Sequence, residues 1–170
     1  IGASLSITGS STLVSVDLPL LSSVGGPTGA GGVTISDNAV LTSISAPSLS
    51  GDVQFVSLWN NKALTVIDFR ALKRTTSTTT DWGFIVYGAT GAIPQLRLDQ
   101  LTDVAAGFYL GSTGIREVVA PRLEHIGRNV NIGSNALVKL ELPLLGSIGG
   151  YLSITTNTAL TTTNLASVTM

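Results

Sequence analysis

Apolar residues along this chain recur in sets whose members are separated by 3, 2, 3 and 3 positions. The clearest set is Leu137, Leu140, Leu142, Leu145 and Ile148. Seven sets follow one another, and most lie about 22 positions apart, which is a repeat length typical of solenoids. Their first residues are Leu13, Leu41, Leu64, Ile93, Ile115, Leu137 and Leu160.

Each repeat opens with a short segment in which apolar and polar residues alternate, such as VTI at residues 33–35. Alternation with a period of two predicts a strand that buries one face. The spacing that follows is not a helical stripe, and it predicts a second short strand, for example residues 140–142, and then a corner. Prolines come just after this second strand, where the missing N–H costs least. They are Pro19, Pro47, Pro121 and Pro143.

These elements predict an all-β fold, a right-handed parallel β-solenoid. The repeats give seven coils of mostly 22 to 23 residues, interrupted by two loop insertions. We expect residues 1–170 to form a single domain. Because the chain starts at Ile1 and not at Met, we also expect either a processed product or a piece of a longer protein.

A row of small or amide residues follows the first strand of each coil. Asn tolerates left-handed turns, and its side chain can bond to nearby backbone groups. Stacked from coil to coil, this row is expected to satisfy the polar groups of the inner turns. Its members are Ser10, Asn38, Asn61, Thr90, Thr113, Asn135 and Asn157.

Two insertions break the period. Residues 25–32 (GGPTGAGG) have the composition of a flexible loop. Residues 73–82 (KRTTSTTTDW) form a Thr-rich bulge in which Lys73 and Arg74 add charge. Such a bulge is either a tolerated surface loop or one wall of a binding site. Trp82 is accordingly either an exposed aromatic residue or a cover over the core.

The composition argues against nucleic-acid binding, cysteine-based sites and a transmembrane segment. Charged residues make up 11% of the chain and the net charge is −1, so electrostatics gives no reason to expect nucleic-acid binding. There is no cysteine, which excludes disulfides and thiolate metal sites. No apolar run approaches the roughly 20 residues of a transmembrane helix, so we expect no transmembrane segment.

The chain shows no pattern that indicates catalysis. No two carboxylates occupy one repeat position on adjacent coils, which argues against an acid/base pair. The one histidine, His125, falls at a corner beside Glu124 and cannot build a zinc site alone. We therefore expect a protein that is not an enzyme and that has no cofactor and no metal.

Charged residues do gather in two rows along the second strand. Asp68 should lie beside Arg97, and Glu117 beside Lys139, as opposite-charge pairs on neighbouring coils. Together with the Thr-rich bulge, these rows supply the candidate partner-binding residues. The candidates are Lys73, Arg74, Trp82, Asp68, Arg97, Glu117, Lys139 and Glu141.

Two stretches carry a resemblance to a known family: VTISDNAVLTSISAPSL at residues 33–49 and LPLLGSIGGYLSITTNTAL at residues 142–160. Their scheme resembles the receptor L domain, a leucine-rich-repeat-like β-helix. It is even more similar to the version of that repeat in a group of fungal cell-wall surface proteins. The resemblance implies an extracellular or cell-surface module without catalytic residues.

Three functions fit the sequence. The first is a recognition or adhesion module that binds a protein or a glycan through a β-face and the Thr-rich bulge. The second is a structural protein whose copies stack end to end into a filament, because open solenoid ends invite pairing. The third is ice binding by a flat face, although the outward row of small polar residues is interrupted by Tyr109 and by residues near Val86.

Overall fold

The computed structural model describes residues 4–26 and 29–168, and every regular element in that part of the chain is a β-strand. Three parallel sheets of seven, seven and four strands run along the molecule, and a two-stranded antiparallel pair accompanies them. This is the parallel β-solenoid that the repeat predicts, and each of its seven coils contributes one strand to each of the two large sheets. No helix of the described residues is long and apolar enough to cross a membrane.

The first sheet carries the alternating segments, in coil order. Its strands are Leu5–Thr8, Val33–Ser36, Val56–Trp59, Trp82–Tyr87, Gly107–Gly111, Val130–Gly133 and Leu152–Thr155. The second sheet carries the strands that precede the corners. Its strands are Ser15–Asp17, Ser43–Ser45, Val66–Asp68, Leu96–Arg97, Glu117–Val119, Lys139–Glu141 and Thr162–Asn164.

The third sheet lies after the corner and involves only the middle coils. Its strands are Arg74–Thr75, Asp103–Val104, His125–Ile126 and Ser147–Ile148. The antiparallel pair lies within the first insertion, where Gly25–Gly26 faces Gly29–Ala30. The predicted flexible loop is therefore a short hairpin where the structure describes it, and Pro27 and Thr28 lie outside the described residues.

The coils stack in strict register, which places like residues in columns. In the first sheet Val33 pairs with Leu5 and with Val56, so these apolar side chains all point inward. The inward residues form one buried core, and within it the rings of Phe84 and Phe108 stack with centroids 5.4 Å apart. Each fully buried side chain of this size contributes about 1.5–3 kcal/mol through burial.

The corner after each second-sheet strand is a tight turn. In coil 6, for example, the Leu145 N–H donates to the Leu142 carbonyl over 3.2 Å, and Pro143 takes the position where a fixed φ near −65° favours the turn. The same bond closes the other corners, including coils that lack proline, such as Leu101 N–H to Leu98 O. The predicted role of the prolines as corner residues is confirmed.

The amide row forms a buried ladder between coils. Asn61 is 1% exposed, and its Oδ1 accepts the Asn38 backbone N–H over 3.2 Å while its Nδ2 donates to the Ile35 carbonyl over 2.8 Å. Each amide therefore satisfies backbone groups of the preceding coil, as predicted. The same arrangement joins Thr113, Asn135 and Asn157.

The prediction that Thr90 belongs to this row is wrong. Tyr87 pairs with Trp59, so Ala89, and not Thr90, occupies the position that corresponds to Asn61. Ala89 is buried, whereas Thr90 is exposed. The prediction counted three positions on from Tyr87, whereas the inward counterpart of Leu58 is Val86, one residue earlier.

A residue with left-handed backbone directly follows each strand of the first sheet and directly precedes the residue that occupies the ladder position. Asn60 shows the arrangement, with φ of 52°. The chain turns at this residue, so the amide that follows points into the coil and can bond to backbone. The left-handed residues are Gly9, Asp37, Asn60, Gly88, Ser112, Ser134 and Thr156.

The second insertion is shorter than the sequence suggests. Arg74–Thr75 belongs to the third sheet and Trp82 begins a strand of the first sheet. Lys73 and residues 76–81 are the parts of this insertion outside regular structure, and we call residues 76–81 the Thr-rich segment. The physical reason is that inward-facing Thr75 is fully buried and continues the column of Val104 and Ile126.

We expect Asn61→Ala to destabilise the protein by about 1–3 kcal/mol, because it leaves buried backbone groups without partners. The measurement is the free energy of unfolding from urea denaturation. Asn164→Ala, at an exposed position of the last coil, is the matched control and should change stability little. Equal effects of the two variants would contradict the assigned role of the ladder.

Candidate functional site

The structure places the sequence-predicted candidates on three separate faces. Trp82 lies on the outer face of the first sheet. Arg74 lies in the third sheet and Lys73 directly precedes it. The remaining candidates lie on the outer face of the second sheet: Asp68, Arg97, Glu117, Lys139 and Glu141.

On the second sheet the predicted register is confirmed but the predicted ion pairs are wrong. Asp68 is the Cα partner of Arg97, yet its carboxylate accepts from Nε of Arg70 over 2.9 Å, while Arg97 pairs with Asp99 over 2.9 Å. The reason is the corner, where the Arg70 backbone N–H also donates to Asp68 and aims that carboxylate along its own coil.

Glu117 and Lys139 behave in the same way. They are Cα partners, but Lys139 pairs with Glu141 over 2.8 Å, and Glu117 accepts from Gln95 Nε2 over 3.0 Å. The hydrogen bond that Lys139 donates to the Glu141 carboxylate raises the pKa of Lys139. Lys139 is therefore paired within its own strand, and Glu117 is hydrogen-bonded to the neighbouring coil.

Lys73 and Arg74 border a shallow groove of about 380 Å³ with Asp52, Gln100 and Arg122. Arg74 is engaged there, because its Nη2 lies 2.6 Å from the Asp52 carboxylate. Nearby, His125 contacts Ser147 Oγ through Nδ1 over 3.1 Å. Nowhere in residues 4–26 and 29–168 do three or more His, Cys, Asp or Glu side chains gather closely enough to hold a metal ion.

The most distinctive surface is an aromatic cluster on the outer face of the first sheet. Trp59 and Tyr87 have centroids 5.4 Å apart, Tyr87 and Tyr109 6.0 Å, and Tyr109 and Trp82 5.0 Å. Elsewhere the middle outward row of this sheet is small and polar, as at Ser6, Thr34, Asn131 and Ser153. The four clustered aromatic residues thus come from the central coils 3 to 5, and a further exposed tyrosine, Tyr151, precedes the strand of coil 7.

Beside this cluster lies a groove of about 390 Å³. Buried Ile85 and half-buried Ser57 lie between its sides, and the Thr-rich segment forms one wall. We call it the aromatic groove, and its lining residues are Phe55, Ser57, Trp59, Thr79, Thr80, Asp81, Trp82 and Ile85.

Glycines on neighbouring coils make room for two of the rings. The Phe55 ring occupies the space where a Cβ of Gly32 would lie, with ring atoms 2.4–2.7 Å from that position. The Trp82 indole takes the same space at Gly107, at 2.5–2.8 Å. Any larger residue at these glycines would displace the ring, so the sequence on one coil positions the aromatic residue on the next.

The Thr-rich segment is held in place by hydrogen bonds. Arg128, two coils further along, donates to the Thr78 carbonyl over 2.6 Å and contacts the Asp81 carboxylate at 3.4 Å. At the other end of the segment, the Ser77 N–H donates to the Gln54 carbonyl over 3.0 Å. The wall of the groove is thus preformed, which lowers the entropy cost of binding.

Several polar groups around the groove have no hydrogen-bond partner among the described residues. They are the Ser57 hydroxyl, the indole N–H groups of Trp59 and Trp82, and the hydroxyls of Tyr87 and Tyr109. Burial raises the pKa of Tyr109, and the neighbouring Tyr87 and Tyr151 add to that shift. Its phenol therefore stays neutral at physiological pH.

Sequence reasoning found Trp82 but missed Phe55, Trp59, Tyr87 and Ile85 as members of one surface. The available signal was alternation, because Phe55, Ser57 and Trp59 are the outward residues around one strand. Comparisons of this chain with protein-family models, with curated proteins and with solved structures give no match. The geometry of the groove is therefore the basis for inferring its function.

Replacing Arg128 with alanine should loosen the Thr-rich segment, because a charge-assisted anchor to the Thr78 carbonyl is lost. We expect amide hydrogen exchange in residues 76–81 to become at least about tenfold faster, since such a bond contributes about 1.5–3 kcal/mol. Arg116→Ala, at another exposed arginine, is the control. Unchanged exchange in Arg128→Ala would show that the segment is held by its other bonds.

The Asp68–Arg70 pair makes a pH-dependent contribution to stability. The Arg70 hydrogen bond lowers the pKa of Asp68 below its usual 3.8 and outweighs the opposing effect of burial. A depressed folded-state pKa stabilises the fold above 3.8, and this contribution disappears as pH falls through the folded-state value. Asp68→Asn should therefore lower the melting temperature at neutral pH and match the parent at strongly acidic pH. Asp17→Asn, at an exposed position, is the control and should leave the melting temperature at neutral pH close to that of the parent.

Proposed function

We propose that this protein is a non-enzymatic recognition or adhesion module, at the cell surface or outside the cell. Its ligand is a protein or a glycan, and it binds through the aromatic groove and the adjoining Thr-rich segment. The observation that carries this proposal is the gathering of partly exposed aromatic side chains of coils 3 to 5 in and beside one preformed groove. Large aromatic residues supply much of the binding energy at recognition surfaces.

The contrast with the other two faces supports this assignment. On the second sheet the charged side chains are mutually paired, and exposed pairs of this kind contribute about 0–1 kcal/mol. In the groove, by comparison, the Ser57 hydroxyl and the indole N–H groups of Trp59 and Trp82 have no hydrogen-bond partner among the described residues, and Trp59 is 39% exposed. Exposed apolar patches bordered by polar groups mark interaction sites.

The polar groups of the groove argue for binding without chemistry. Its one ionisable lining residue is Asp81, which contacts Arg128, so no acid/base pair faces the groove. The cell-surface location rests on the resemblance of the repeat to receptor L domains and to fungal cell-wall proteins. A recognition surface on the side of a solenoid is also how such folds commonly bind partners.

A second candidate function is end-to-end self-association. Apolar side chains of the first and last described coils pack on the core but remain partly exposed, notably Leu5, Ile7, Leu152 and Ile154. Stacking of two copies would bury them and continue the sheets. Size-exclusion chromatography with light scattering over a wide concentration range tests this candidate. Growth into rods supports it, and a constant monomer rejects it.

The recognition function is tested with arrays of extracellular proteins and of glycans, probed with three forms of the protein. The first variant is the double substitution Trp59→Ala/Trp82→Ala, which removes both tryptophan rings from the groove. The second is the double substitution Glu117→Gln/Lys139→Ala, which changes two charged residues on the outer face of the second sheet. We expect the parent and the second-sheet variant to bind the same spots, and the tryptophan variant to lose at least about tenfold in affinity, or about 1.4 kcal/mol. Matching melting temperatures establish that all three forms are folded.

Two outcomes would contradict this proposal. If binding is lost in the second-sheet variant and kept in the tryptophan variant, the paired charges and not the groove contact the ligand. If the parent binds nothing on either array, the recognition function itself is rejected.

A further inference from the structure

We infer that the ligand of the aromatic groove is a neutral polysaccharide, and this inference rests on the recognition function proposed above. The class of ligand follows from three properties of the groove: aromatic ring surface, unpartnered neutral hydrogen-bonding groups, and the absence of unpaired charge among its described lining residues. Each property excludes part of the range of possible ligands.

The ring surface requires a ligand with an apolar face. Trp59, at 39% exposure, and half-buried Phe55 and Trp82 flank the groove. An aromatic face carries partial negative charge. It therefore attracts the C–H groups that a pyranose ring presents on its flat side, and this contact also removes apolar area from water.

The neutral polar groups require a ligand with hydroxyl groups. The indole N–H groups of Trp59 and Trp82 are donors only, whereas the hydroxyls of Ser57, Tyr87 and Tyr109 both donate and accept. A sugar presents hydroxyls around the edge of its apolar face, and a hydroxyl matches both kinds of group. One ring can thus satisfy the aromatic surface and the polar edge together.

Charge argues against an ionic ligand. The Asp81 carboxylate is the one charged group among the lining residues, and Arg128 contacts it at 3.4 Å. An acidic polysaccharide would meet this carboxylate without an unpaired cation to offset it. A basic peptide would find one exposed carboxylate in the groove, and Arg128 already contacts it, so the attraction is weak.

The arrangement of the rings favours a chain over a single sugar. Trp59, Tyr87 and Tyr109 come from three successive coils, with centroids 5.4 and 6.0 Å apart. This row runs across the strands and along the solenoid, beyond the groove itself. A polysaccharide lying in this direction would contact the groove with one residue and the tyrosine row with its neighbours.

The chain offers a direct optical readout. Its two tryptophans, Trp59 and Trp82, both line the groove, so intrinsic tryptophan fluorescence reports on this site alone. The probes are cellohexaose, laminarihexaose and chitohexaose as neutral oligosaccharides, and hexagalacturonic acid as the anionic comparison. Fluorescence titration of the parent protein is followed by calorimetry of each variant.

We expect at least one neutral hexasaccharide to shift the fluorescence in a saturable manner, with an affinity that high salt does not change, because no charge is involved. Trp59→Ala and Trp82→Ala should each weaken binding about tenfold or more. Trp59→Phe and Trp82→Phe should retain most of the affinity, because a ring remains. Leu144→Ala, at an exposed apolar residue away from the groove, is the control and should bind as the parent does.

Three results would overturn the inference. The first is that none of the neutral hexasaccharides binds. The second is binding that is indifferent to both alanine variants. The third is tighter, salt-sensitive binding of hexagalacturonic acid. A tryptophan-dependent protein ligand on the arrays, with no neutral glycan bound, would overturn the polysaccharide and leave the recognition function standing; the absence of any ligand would remove both.

Discussion

The strict register between successive coils is the constraint on which the rest of this structure depends. Parallel hydrogen bonding places each residue directly beside its counterpart on the next coil, so an inward position is apolar in almost every coil. Thr75 is an exception, because its buried hydroxyl has no hydrogen-bond partner in the part of the chain that the structure describes. Elsewhere, a polar side chain that turns inward is stabilised by a partner at the same level. The Asn38–Asn61 bond shows how the amide row supplies one. Register thus converts a sequence repeat into a continuous core.

The same register leaves the outward positions free to vary, and the candidate site lies there. Small residues on the coils before and after an aromatic residue decide whether its ring can lie against the sheet, as Gly32 does for Phe55 and Gly107 for Trp82. Cross-strand neighbours of this kind act as a unit. The aromatic groove is therefore a property of three adjacent coils and not of any single repeat.

On the second sheet, the repeat predicts which charged residues are neighbours but not which of them form ion pairs. Repeat positions correctly placed Asp68 beside Arg97 and Glu117 beside Lys139. They did not identify the ion partners, because a long side chain chooses among several acceptors within reach. The corner at Arg70 and the amide of Gln95 decided that choice. Backbone register follows from the repeat, whereas side-chain pairing follows from local geometry.

The sequence by itself determined the all-β solenoid, its seven coils and the inward and outward position of most residues, because burial imposes the same spacing on every coil. The tertiary structure alone decided that Ala89, and not Thr90, occupies the ladder position of coil 4, because Val86 and not Tyr87 is the inward residue that pairs with Leu58. It also decided that Trp82 joins Phe55 and Trp59 across a groove whose wall is anchored by Arg128, 47 positions from Asp81. Contacts between coils depend on which side chains the stack brings together, and no single repeat contains that information.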